Sequence, residues 1–80
     1  MLVEVKVPVL AESVPDATLL QWHKQAGQRV ARGENLIDLE TDKVEATLES
    51  AYEGVLVEIL AQPDDVLPVG GVLAVIEEAG

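Results

Sequence analysis

Eighty residues, fifteen acidic against five basic, carry a net charge of −10 with His23 neutral; they allow one small domain and leave no room for an enzyme with its own cofactor fold. That balance argues against nucleic acid and anionic membrane as partners, since both need clustered Lys and Arg. The absence of cysteine removes disulfides, thiolate metal sites and a thiol nucleophile.

From the amino end, Val3, Val5, Val7 and Val9 alternate with Glu4, Lys6 and Pro8, which predicts a strand with one buried face. The start, Met1-Leu2-Val3-Glu4, shows no secretory signal. After the Pro15-Asp16 turn signal comes a strand over Thr18–Trp22, then turns at Ala26-Gly27 and Arg32-Gly33. Strands over Asn35–Glu40 and Val44–Glu49 follow, then the Tyr52-Glu53-Gly54 turn and a strand over Val55–Leu60. Turns at Pro63-Asp64-Asp65 and Pro68-Val69-Gly70-Gly71 lead to a last strand, Val72–Glu77. Val, Leu and Ile supply 27 residues, 13 of them Val, so the core is aliphatic and favours strands. No apolar run reaches the ~20 residues of a membrane helix. Short strands at this spacing predict an all-β sandwich or flattened barrel.

The chain also repeats. Sliding it by 37 residues matches 10 of 43 overlapping positions, among them Lys6 with Lys43, Glu12-Ser13 with Glu49-Ser50, and Gly33 with Gly70. This predicts a quasi-twofold domain in which each half lends strands to a shared core. The chain then crosses between halves at Glu40-Thr41-Asp42-Lys43-Val44, and the equivalent places in the other half are the two chain ends. A tight turn is expected at one pole, with the termini at the other and Asp42 bonding local backbone N–H groups.

Unaided catalysis has little to work with. His23 adjoins Trp22, a core residue by this reading, and alternation sends the imidazole to solvent. Ser13 and Ser50 have no histidine nearby, the carboxylates are dispersed without metal-ligand spacing, and no glycine pattern leads into a helix. No catalytic or metal-binding residue is expected. One lysine, Lys43, remains on a protruding tip amid Glu40, Asp42 and Glu45.

The run Glu40-Thr41-Asp42-Lys43-Val44, centred in a duplicated β domain, resembles the lipoyl-attachment motif of lipoyl domains from the acyltransferase subunits of 2-oxo acid dehydrogenase complexes. Val7-Pro8 with Glu12-Ser13-Val14, Trp22-His23-Lys24 followed by Gly27, and Gly54 opening the second half extend the resemblance over residues 1–80, read as a single lipoyl domain. The related biotinyl domains carry Met-Lys-Met at this turn, so lipoate is preferred over biotin. The pattern around Glu12-Ser13-Val14, Asp16-Ala17-Thr18 and Trp22-His23-Lys24 looks most like the 2-oxoglutarate, succinyl-transferring branch; pyruvate and branched-chain types stay open, as does an unmodified β-sandwich adaptor. The chain departs from the family pattern at Ala17 and at Asp64-Asp65, where glycine and Gly-Asp are frequent, and at Gln28, where an acidic residue is common.

The resemblance implies a barrel-sandwich hybrid of two mainly antiparallel four-stranded sheets. It implies lipoic acid in amide linkage on Lys43, with Asp42 and Val44 as turn flanks. The arm would be reductively acylated by a thiamine-diphosphate 2-oxo acid dehydrogenase, would deliver an acyl group to coenzyme A at the acyltransferase core, and would be reoxidised by dihydrolipoyl dehydrogenase. A lipoate-attaching enzyme is a further implied partner, and the domain itself is expected to be monomeric. Glu40, Thr41 and Glu45, with Glu12, Ser13 and Val14, are the implied recognition residues. The implied compartment is bacterial cytoplasm or mitochondrial matrix.

Overall fold

A computed structural model describes residues 1–79. It contains eight strands: β1 (Leu2–Lys6), β2 (Asp16–Trp22), β3 (Arg29–Val30), β4 (Asn35–Glu40), β5 (Glu45–Glu49), β6 (Gly54–Ile59), β7 (Val66–Pro68) and β8 (Val72–Glu78). They form two four-stranded sheets, β1-β8-β6-β3 and β5-β4-β2-β7, and every neighbouring pair is antiparallel. The expected two-sheet architecture is present. Two of its strands, β3 and β7, were not among the six expected from alternation, because two and three residues are too few to show a period. The first strand stops at Lys6, short of the expected Val9. Val7 is buried, but Pro8 lacks a donor for the ladder and Val9 is exposed.

Between the sheets lie Leu19, Leu36, Ile37, Leu39, Leu56, Leu73 and Ile76, none of them exposed to solvent. Burial on this scale is what offsets the entropy of ordering so short a chain. Trp22 packs against this core and donates its indole N–H to the Ala61 carbonyl at 2.9 Å, as expected for a large ring that needs one polar partner.

The twofold relation is carried by bonds as well as shape. The Gly27 N–H donates to the Leu56 carbonyl at 2.6 Å, and 37 residues on, Asp64 N–H donates to the Leu19 carbonyl at 2.8 Å. Gln28 Oε1 accepts from the Gln25 N–H as Asp65 Oδ2 accepts from the Gln62 N–H. The ladders also break at matching places, between Leu19 and Gln21 and between Leu56 and Glu58.

The first strand obeys a different offset. Leu2 pairs with Glu77 as Glu45 pairs with Glu40, and Val5 pairs with Ala74 as Leu48 pairs with Ile37. These correspondences put β1 and β5 43 residues apart, six more than the 37 that relates the other strands. The matches of Lys6 with Lys43 and of Glu12-Ser13 with Glu49-Ser50 are therefore coincidences: Lys6 corresponds to Glu49. The six extra residues all lie in the connection from β1 to β2, residues 7–15.

Gly27 and Asp64 are symmetry mates, and both have positive φ, +93° and +77°. A left-handed residue with a Cβ is strained, and aspartate tolerates it better than most. Asp64→Gly should therefore stabilise the domain by about 0.5–1 kcal/mol. A urea midpoint that stays put or falls would refute this.

Candidate functional site

β4 and β5 form a hairpin whose last paired residues are Glu40 and Glu45. The turn between them is closed by Thr41. Its N–H donates to the Val44 carbonyl at 2.8 Å. Its hydroxyl oxygen accepts from the Lys43 and Val44 N–H groups at 3.2 and 3.0 Å, and its O–H lies 3.0 Å from the Val44 carbonyl. The role expected of the Asp42 carboxylate thus falls to Thr41. The reason is position: a side chain at the first corner of the turn reaches the N–H groups two and three residues on, and that corner is Thr41. Asp42 and Lys43 are left at the apex, both exposed.

The opposite-pole arrangement follows from contacts. By the twofold relation, the Thr41 N–H to Val44 bond corresponds to the Glu78 N–H bond to the Met1 carbonyl, also 2.8 Å, so the chain ends occupy the place of the Lys43 turn. The Ala79 N–H donates to the Glu53 carbonyl, in the turn that follows the far end of β5. The carboxyl-terminal residues thus lie at the end of β5 away from Lys43.

The ammonium of Lys43 sits amid acidic side chains without pairing with one. Among the described residues the ion pairs are Met1 with Glu77, Lys6 with Glu4, His23 with Asp38 and Lys24 with Glu34. Lys43 Nζ instead donates to the main-chain carbonyl of Glu12 at 3.3 Å. That carbonyl belongs to the β1–β2 connection, so the structure brings Glu12 and Ser13 to the hairpin tip. Val14 follows, half-buried, its N–H donating to the Ala11 carbonyl at 3.4 Å. Glu40 and Glu45 face each other across the hairpin as two like charges, a pairing that weakens a strand pair unless screened.

A polar network on the outer face of the same sheet was not anticipated. Gln21, Asp38 and Thr47 lie in register on β2, β4 and β5. Asp38 accepts from His23 Nε2 at 2.9 Å, from the Thr47 hydroxyl at 2.8 Å and from the Gln21 amide at 3.0 Å. A carboxylate only accepts, so Nε2 supplies the hydrogen of this bond. Aspartate is depleted in strands, and its place in the middle of the Asn35–Glu40 run was the signal available. His23 is where solvent was expected, but tied down by Asp38. Ser50 is buried, its hydroxyl donating to the Tyr52 carbonyl at 2.6 Å. It holds a turn.

These bonds, that from His23 foremost, then Thr47 and Gln21, hold the Asp38 carboxyl down to about 2 from its ordinary 3.8. A depressed folded-state value means stability that is whole above the ordinary value and lost as pH falls toward the folded one. Asp38→Asn should therefore lower the urea midpoint at neutral pH, and the gap from wild type should close between about pH 4 and about pH 2. A gap unchanged across that window would contradict the assignment. Glu34 is lowered for a like reason, by Lys24 at 2.7 Å and then by the Ala31 N–H.

A family model described as "Biotin-requiring enzyme", of the biotin/lipoyl type, matches residues 3–76. The succinyltransferase component of the 2-oxoglutarate dehydrogenase complex of Staphylococcus saprophyticus is 48% identical over 75 residues, covering 94% of this chain and 18% of that protein. The acetyltransferase component of the pyruvate dehydrogenase complex of Corynebacterium glutamicum is 43% identical over 79 residues, covering 99% of this chain and 12% of that protein. The solution structure of the lipoyl domain of the 2-oxoglutarate dehydrogenase complex from Azotobacter vinelandii superposes with a TM-score of 0.79 at 36% identity, covering 98% of this chain and 99% of that one. The chain thus spans less than a fifth of the length of these curated relatives and the whole of the solved domain.

Proposed function

The chain belongs to the biotin/lipoyl domain family, and from that premise we propose that it is a lipoyl carrier in a 2-oxo acid dehydrogenase complex, nearest the 2-oxoglutarate, succinyl-transferring kind. The observation that carries this reading is Lys43 at the apex of a two-residue turn, exposed, with no carboxylate of the described residues paired to its amine. An amine that is to be joined to a carboxylic acid must be reachable, and this one is. Lipoate in amide linkage there supplies a redox-active dithiolane that takes up and releases acyl groups.

The protein's own part is presentation. Thr41 closes the turn so that Lys43 projects, while Asp42 and Val44 flank it. The hairpin's position away from the carboxyl-terminal residues lets the tip reach several active sites in turn while the chain is held at its other end. Modification removes the lysine charge and takes the domain from −10 to −11, which suits partners with a basic or polar face. Those partners are the 2-oxo acid dehydrogenase, the acyltransferase core and dihydrolipoyl dehydrogenase, with a lipoate-attaching enzyme beforehand. Glu40, Glu45 and the Glu12–Val14 segment are the surface they would read. The relatives are bacterial, which points to the bacterial cytoplasm.

Expressed with a lipoate-attaching enzyme, the wild-type domain should gain the mass of one lipoyl group, and Lys43→Arg should gain none. A gain that survives in Lys43→Arg, or none in wild type, rejects the reading; streptavidin binding would point to biotin. The 43% identity to a pyruvate-complex component supports a second substrate reading. Reductive acylation of the lipoylated domain by 2-oxoglutarate and pyruvate dehydrogenase components, side by side, separates the two.

A further inference from the structure

The connection from β1 to β2 is where the molecule abandons its twofold symmetry, and it does so with two unusual features. It carries the six residues that have no counterpart in the other half. It also holds Ser13 at φ +66°, one of two non-glycine residues with positive φ among those described. Asp64, the other, is accounted for as the symmetry mate of Gly27. Ser13 has no such excuse. A left-handed serine persists only where its surroundings impose it, and such strain tends to sit where geometry matters.

What lies next to it is the carbonyl of Glu12, 3.3 Å from Lys43 Nζ. The bond from Val14 N–H to the Ala11 carbonyl spans the same four residues. We propose that the Ala11–Val14 turn is a positioning device for the Lys43 side chain. Ser13, held left-handed, aims the Glu12 carbonyl at Nζ, and this carbonyl goes on accepting from the same nitrogen once that nitrogen is acylated. An ammonium carries three hydrogens and a secondary amide nitrogen keeps one, so the donor outlasts the loss of charge. The root of the arm is thereby held over the β1–β2 connection while its distal atoms stay free. Glu12 contributes through its main chain, and its carboxylate is not part of the contact.

This rests on Lys43 being the attachment point, and the test separates the two. In the lipoylated domain, the Lys43 ε-amide N–H should exchange with solvent about two- to tenfold more slowly than in a short peptide bearing the same lipoyl-lysine. Ser13→Val, whose branched Cβ resists positive φ, should abolish that protection. Ser13→Gly and Glu12→Ala should keep it. In the unmodified domain, the Lys43 Cε methylene should be more ordered by NMR relaxation than that of Lys6, and Ser13→Val should remove the difference. Amide shifts of Leu19 and Leu36 report whether that variant keeps its fold; if it does not, the comparisons of wild type with the peptide and of Lys43 with Lys6 decide. Attachment at Lys43 with exchange at the peptide rate overturns the positioning role and leaves the carrier reading intact. If nothing attaches, the ordering of Cε in the unmodified protein still decides, and a Lys43 no more ordered than Lys6 overturns it.

Discussion

Gly54→Ala is expected to cost about 3 kcal/mol or more, over half of the stability of a small domain at the low end of the usual range. Gly54 opens β6 between two strands, pairing with Val30 on one side and Glu78 on the other. A Cβ there would collide with the Glu77 carbonyl oxygen and lie 2.9 Å from its carbon and 3.0 Å from the Glu78 Cα. All three are main-chain atoms, which cannot swing aside as a side-chain tip can. The symmetry mate is Ala17, buried and accommodated. The difference has a visible cause. β8 continues to Glu78 and passes over Gly54, whereas its counterpart β4 ends at Glu40 and turns away, so the ladder of β2 with β4 begins at Thr18. Ala17→Gly should cost only about 0.5–1 kcal/mol. Urea titration of both variants checks the contrast, and a loss below about 1 kcal/mol for Gly54→Ala would show that β8 yields.

Leu36→Ala and Leu73→Ala should each cost about 2–5 kcal/mol, and the two losses should be alike. These residues are symmetry mates, both fully buried, each on the first turn-proximal stretch of a central strand. Their carbonyls accept equivalent bonds, from the His23 N–H at 2.7 Å and from the Leu60 N–H at 2.9 Å. Small domains hold about 5 kcal/mol at the low end of the usual range, so the double variant should not fold. Clearly unequal single losses would mean that the two sheets share the core less evenly than the bond pattern indicates.

Much of this architecture is legible in the chain. Period-two patterning locates six strands, and the 37-residue repeat locates the central turn and foretells both termini at the opposite pole. The Glu40–Val44 run marks the hairpin that the structure builds. What escapes has physical reasons. β3 and β7 are defined by pairing, which a local pattern of two or three residues cannot express. Lys6 and Glu12-Ser13 matched the wrong partners because an ungapped comparison is blind to six residues added in one connection. The residue types suggest Asp42 as the acceptor of the turn's N–H groups, whereas the structure gives that place to Thr41, one residue earlier. Only the geometry reveals which of the two residues stands at the first corner. The carboxylate of Asp38, three bonds deep in its network, depends on residues from β2 and β5 that no spacing rule ties together.

The matching of the Glu78–Met1 bond with the Thr41–Val44 bond has a topological consequence. A ring made by sealing the two ends would present two equivalent hairpins, and it could be cut at either without losing a rung of any ladder. The ladders themselves are therefore indifferent to which of the two places is closed by a turn and which holds the chain ends. A circularly permuted form that begins in the Lys43 turn would belong to the same architecture, but its ends would lie beside the lysine, so that cargo and tether would share one pole.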